Sequence, residues 1–376
     1  MIEISEQIKG LIGYLAETRE KLHALAEVSL KEFLTQKFIV SELEAMECKP
    51  RLVETGVLCD ILSADAKHIT ALRCDIDALP IAECTDRAVK SNNPKTMHAC
   101  GHDGHTAMLL GVAKLLTKVK LQKNTRLIFQ YAEETNGGAE KMIEAGCLEG
   151  VDEIFALHLC PELEIGKIAS TSDAMFAGKV EFAIEVFGTS AHCADPLKGR
   201  DALKAAAWIY SQFEGIKGKR KNTLTFCGSM HAGTSFNVVA DYAELKCTIR
   251  YFNNNDANFI MGKIRDMLVE ADNTFATMHK LNVRAAYPPL VNTAAGLKAL
   301  KSVVEIEKCL PRYTAEDFAF YLQKTDGCMA WLGCKSSYRE YYPLHSNMFD
   351  FDNATLCNGL EVFYRLLTRN RFASIR

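Results

Sequence analysis

His98-Ala99-Cys100-Gly101-His102-Asp103-Gly104-His105 sets three imidazoles and a thiol within one short stretch. Directly after it, Ala107, Leu110, Ala113 and Leu115 recur at helical spacing. The cluster therefore reads as a loop that becomes a helix N-terminus, with Gly101 and Gly104 permitting a tight backbone. Borderline divalent metals favour imidazole nitrogen together with thiolate or carboxylate oxygen, and Cys100 and His102 are spaced so that both heads can reach one ion. Two other readings stay open on this stretch alone. One is a buried cysteine with incidental histidines; the other is a Cys100 nucleophile activated by a neighbouring imidazole.

Working outward, three apolar segments end in chemistry-bearing residues. Ile69 to Pro80 reads as a strand running into Asp75 and Asp77, at the carboxyl end where open α/β sheets hold ligands; an Asx-type turn closing the strand is the competing reading. Thr125 to Glu134 reads as a second buried strand ending in the adjacent carboxylates Glu133 and Glu134. Two like charges side by side repel unless a cation lies with them, and a metal accounts for the pair economically. Val151 to Leu159 is a third apolar strand carrying His158 near its end. Before these, Ser5–Leu30 and Leu30–Met46 show helical spacing, with His23 read as a helix-surface residue.

From Gly178 the texture changes to strand (179–187), helix (201–213), two strands (223–231 and 242–252), helix (255–271) and strand (280–285). That is the βαββαβ order of a ferredoxin-like unit, with an exposed strand edge available to pair with a second copy of itself. His192, Asn237 and Arg250 lie in it, in polar turns or at a strand end. The first texture then resumes: a helix start is expected from Arg312 through Glu316 and Asp317, a strand at Cys328–Gly333, His345 on a loop, and a final helix from Ala354 to Leu367. The expected organisation is an α/β domain of 1–177 and 286–376 interrupted by an inserted domain of 178–285.

Composition limits the classes. With 376 residues, 48% hydrophobic and 24% charged, the chain has enough apolar residues for two folding units and shows no signature of disorder. A net charge of -3, with no basic run beyond Lys217–Lys221, leaves no footprint for nucleic acid. No stretch approaches the 18 apolar residues of a membrane span. Fourteen cysteines, mostly inside apolar runs, are expected to be free thiols in a reducing compartment, and the acidic N-terminus argues for the cytoplasm.

Taken in order, Arg73 to Pro80, Met97 to His105, Glu133-Glu134, His158, Gly233 to Val239 (with Asn237), Ala315 to Phe318 and Pro343 to Ser346 resemble the M20 family of metallopeptidases. The resemblance is to its aminoacylase, hippurate hydrolase and indole-3-acetyl-amino-acid hydrolase branch. It implies a central mixed-sheet, zinc-exopeptidase-like α/β domain with a ferredoxin-like lid that also forms a homodimer. It implies two divalent ions per subunit (zinc, manganese, cobalt or nickel) held by Cys100, His102, Glu134, His158 and His345. Glu133 would be the general base, Asp75 or Asp77 would orient a ligand imidazole, His192 would reach a partner's site, and Asn237 and Arg250 would hold a substrate carboxylate. The implied substrates are N-acyl amino acids or short peptides. A dipeptidase or carboxypeptidase of the same fold and a non-catalytic peptide-binding relative are the alternatives. Two positions depart from the family pattern. The usual His-x-x-Pro-Glu-Leu stands here as His23-Ala-Leu-Ala-Glu-Val, and Cys100 holds a place where other members carry Asp, which softens the site.

Overall fold

The computed structural model describes residues 2–63, 68–119, 123–135, 137–338 and 340–369. The chain forms two compact units. The first comprises Met1–Asp173, Val291–Leu310 and Phe320–Arg376; the second comprises Ala174–Leu290 and Pro311–Ala319. The second thus takes in short flanking segments on either side of the expected insertion.

The first unit is built on an eight-stranded mixed sheet in the order 51–53, 56–61, 124–130, 69–75, 151–164, 326–335, 168–170, 307–308. Its four central neighbours, 124–130, 69–75, 151–164 and 326–335, are mutually parallel. Their side chains are buried almost throughout, as the uninterrupted apolar runs require when both faces of a parallel sheet are covered. After Ile69–Asp75 the chain adds a strand on one side and then the next on the other. Such a reversal opens a crevice at the carboxyl ends of the strands. Helix His102–Leu116, buried along nearly its whole length, packs against helices Ile12–Leu25 and Ala354–Thr368 and against the central strands.

The entry to that helix depends on one glycine. Gly101 has φ +84°, and a Cβ there would meet Leu159 Cδ1 at 2.5 Å, so both the backbone and the packing exclude a side chain. The result is that Cys100 and His102 lie on either side of a sharp corner.

The second unit is a four-stranded antiparallel sheet in the order 278–287, 178–187, 242–251, 224–232, with helices Ala202–Glu214 and Asn254–Phe275. Val180, Phe182, Ile184 and Val186 pack with Leu245, Ile249 and the apolar stripes of both helices in one core. Each helix begins on a capping side chain, Asp201 accepting from Lys204 N and Asn253 from Asp256 N. The chain order is the split βαβ unit expected from the alternation of periods.

Three local expectations are corrected. The strand expected to reach Glu134 ends at Gln130, because Ala132 adopts φ +53° and its N–H is held by the buried carboxylate of Glu32, so Glu133 and Glu134 stand in a turn. The helix expected from Arg312 spans only Phe318–Leu322, because Arg312 exchanges backbone hydrogen bonds with Met175 and Ala177. His23 is not on the surface. It is 1% exposed, with Nδ1 2.9 Å from Asp103 Oδ2 and Nε2 3.2 Å from Glu83 Oε2. Among the described residues no helix is long and apolar enough to cross a membrane.

A Gly101→Ala substitution is expected to destabilise the protein by about 1–3 kcal/mol through strain and overpacking. Gly13→Ala, on an exposed helical position with open space around it, should be neutral or stabilise by up to about 1 kcal/mol. Denaturant unfolding of the two variants checks the contrast.

Candidate metal centre

The residues singled out around the parallel strands come together in space. Ligand-type atoms of Cys100, His102 and His158 lie within 4.8 Å of one another, and so do those of Cys100, Glu134 and His345. His102, Glu133 and Glu134 form a third such group. Cys100 is common to the first two, and it sits at the corner that Gly101 makes. His345 arrives on a loop whose backbone is pinned by its own N–H donating to Ala99 O at 2.8 Å, at a strained φ of +66°.

Asp77 contacts both His102 and the turn that bears Glu134. His102 Nδ1 lies 2.9 Å from the Asp77 carbonyl oxygen and 3.3 Å from Oδ1. Oδ2 of the same residue accepts from Glu134 N at 3.0 Å and from Ser29 Oγ at 2.6 Å. Asp77 therefore positions His102 and the Glu134 backbone together. In its neutral form, with the hydrogen on Nδ1, His102 presents a bare Nε2. That atom is buried without a hydrogen-bond partner, 3.7 Å from Asp75 Oδ1 and 3.9 Å from Glu134 Oε1. Glu134 Oε1 is likewise buried and without a hydrogen bond, 3.4 Å from His345 Nε2. Orphaned buried acceptors cost free energy unless something satisfies them. A thiol, imidazoles and a carboxylate converging, with His102 Nε2 and Glu134 Oε1 unsatisfied by protein groups, fit a borderline divalent cation.

Protonation follows the same crowding. Burial disfavours a charged His102, but the carboxylates of Asp75, Asp77 and Glu134 outweigh it and push its pKa up to about 10. Burial raises the Cys100 thiol well above its ordinary value, and the nearby carboxylates of Glu134, Glu133 and Asp75 add to this. A thiol so held is a poor nucleophile, which speaks against the cysteine-hydrolase reading.

The singled-out residues of the second unit behave differently. His192 and Asn237 are exposed neighbours at one end of the second unit, joined by a bridge between His192 and Val238 and by Cys193 N donating to Asn237 O. Ala194 N donates to His192 Nδ1, which leaves Nε2–H free to donate. Arg250 sits at the other end of strand Tyr242–Tyr251, opposite Lys179 and Leu224, with Nη2 3.4 Å from Glu181 Oε1. Eight residues of extended chain separate Tyr242 from Arg250, roughly 27 Å. Within one protomer Asn237 lies beyond the start of this strand and Arg250 near its end.

Sequence reasoning missed a buried network behind the site. Arg19 is fully engaged with Asp103, Asp350, Asn353 and the carbonyl of Phe351, and Arg87 also pairs with Asp350. The four-residue spacing of Arg19 and His23 on one helix was the available signal.

Fold and site together define a metal-dependent hydrolase acting on amide bonds. The chain belongs to the Peptidase family M20/M25/M40, whose model matches residues 71–369. It is 32% identical over 375 residues to an N-acetyldiaminopimelate deacetylase of Streptococcus uberis, covering 95% of this chain and 98% of the relative. It is also 32% identical over 391 residues to an N-acetyl-L-cysteine deacetylase of Bacillus subtilis, covering 100% and 92%. Among solved structures it resembles the Bacillus subtilis YXEP protein, described as a dinuclear metal-binding peptidase of the M20 family. The TM-score is 0.83 at 30% identity, covering 96% of this chain and 98% of that one.

Since burial favours the Cys100 thiol and the surrounding carboxylates favour a protonated His102, loading near pH 7 should release protons, and affinity should rise with pH. Calorimetry in buffers of different ionisation heat measures this. Loading without proton release would contradict the assignment.

Proposed function

We propose that this protein hydrolyses the amide bond of N-acyl amino acids with two divalent ions, which Cys100, His102, Glu134, His158 and His345 would hold. The observation that carries the reading is the pair of ligand groups that meet at Cys100, one completed by His102 and His158 and the other by Glu134 and His345. The donor set suits zinc, manganese, cobalt or nickel. When bound, such ions supply Lewis acidity, polarising the amide carbonyl and making water ionisable near neutral pH.

Glu133 stands beside His102 and Glu134 yet belongs to neither group that shares Cys100. Its carboxylate is the base: it takes the proton of the attacking water and passes it to the nitrogen of the departing amine. Asp77 keeps His102 and Glu134 in place through this transfer. The names of the relatives, which specify N-acetyl substrates, support an acetyl or other small acyl group.

In this reading the protein is a homodimer joined through the lid. Asn237 and Arg250 would hold a substrate carboxylate. The exposed tip bearing His192 and Asn237 serves the partner's site. His192 Nε2–H would donate to the oxyanion that develops as the carbonyl is attacked, worth about 2.7–4 kcal/mol for one well-placed donor.

Glu133→Gln should keep both ions by elemental analysis and lose about 10²–10⁴ of its turnover of N-acetyl amino acids. Normal turnover would refute the base assignment. His192→Ala should lower kcat by about 10²–10³. Mixing it with Glu133→Gln subunits should restore part of the activity if the imidazole acts across a dimer, whereas no recovery would place it within one chain.

A further inference from the structure

The proposed chemistry leaves two imidazoles of the opening motif unused, His98 and His105, and the second is held by hydrogen bonds on both nitrogens. His105 is buried and both its nitrogens are engaged: Nε2 accepts from Leu159 N–H at 3.0 Å, and Nδ1 lies 2.6 Å from Asp75 Oδ1. Since Nε2 accepts, the hydrogen of the ring is on Nδ1 and is donated to Asp75. No lone pair remains for an ion. The other oxygen of Asp75 takes Arg73 Nη1 at 2.7 Å. Arg73 Nε donates to Gln130 Oε1, and that oxygen also accepts from the Tyr321 hydroxyl.

On its far side His105 acts through one residue of the neighbouring strand. Leu159 gives its N–H to His105, and its carbonyl accepts from His158 Nδ1–H at 2.9 Å. That bond places the hydrogen of His158 on Nδ1 and turns a bare Nε2 toward Cys100 Sγ, 3.5 Å away. The rings are also in contact, with centroids of His105 and His158 4.7 Å apart and those of His105 and His102 5.4 Å apart.

We propose that His105 is a positioning residue rather than a ligand. Anchored by Arg73 and Asp75, it fixes the backbone of Leu159 and thereby the tautomer and aim of His158. This assigns Asp75 to the same chain of hydrogen bonds and not to proton transfer with substrate. The proposal rests on the reading of His158 as a ligand, and hydrogen bonds of this kind to ligating groups are typically worth about 10–100-fold in metal affinity.

Two variants separate the hydrogen bonds from the ring. His105→Phe keeps a ring of similar shape and loses both nitrogens; His105→Gln keeps a donor and an acceptor at similar spacing. In cobalt(II) titrations followed by the thiolate-to-metal absorption, the wild type should take up two ions. His105→Phe should bind the second about 10–100-fold more weakly, and His105→Gln should stay near the wild type. Wild-type affinity for both ions in His105→Phe, or equal loss in both variants, would overturn the proposal. Should His105→Phe not fold, nitrogen-15 NMR of histidine-labelled, metal-free wild type decides: Nδ1–H on both His105 and His158 is expected, and Nε2–H on either overturns it. That tautomer measurement stands even if the wild type binds fewer than two ions, a result that would defeat the dinuclear reading instead.

Discussion

The structure turns on a cluster of groups that protein atoms alone leave unbalanced. His102 is buried among the carboxylates of Asp75, Asp77 and Glu134, beside a buried thiol, and the two atoms that face inward, His102 Nε2 and Glu134 Oε1, have no hydrogen-bond partner. Removing such groups from water costs several kcal/mol unless cations and hydrogen bonds compensate. A proton on His102 compensates in part; divalent ions would do so more fully and engage the thiol as well.

Everything around the cluster holds it in that state. Gly101 makes the corner that separates Cys100 from His102. Asp77 ties the imidazole to the turn bearing Glu133 and Glu134, and Glu32 fixes that turn through Ala132. The loop that brings His345 is fastened to Ala99. These are backbone anchors on or beside parallel strands, and rigid anchoring is what allows donors from distant parts of the chain to keep a fixed geometry.

Much of this was readable from residue order. The strand ending at Asp75, the motif opening a helix, the strand carrying His158 and the alternation of periods in the second unit all occur where the sequence pattern places them. What was not readable depended on contacts across the fold. The histidines of the opening motif are equivalent as text, and it is the N–H of Leu159 at Nε2, with Asp75 at Nδ1, that distinguishes His105 from a ligand. Asp75 and Asp77 are likewise two residues apart, and their partners, His105 and His102, separate them. His23 looked like a surface residue because a helix packed on several sides gives little hint of which polar groups face inward.

The most direct measurement is anomalous diffraction from crystals loaded with manganese or zinc. The account predicts two ions about 3.5–4 Å apart, both touching Cys100 Sγ, one against His102 and His158 and the other against Glu134 and His345. A single ion, or a pair held without the thiolate, would contradict it.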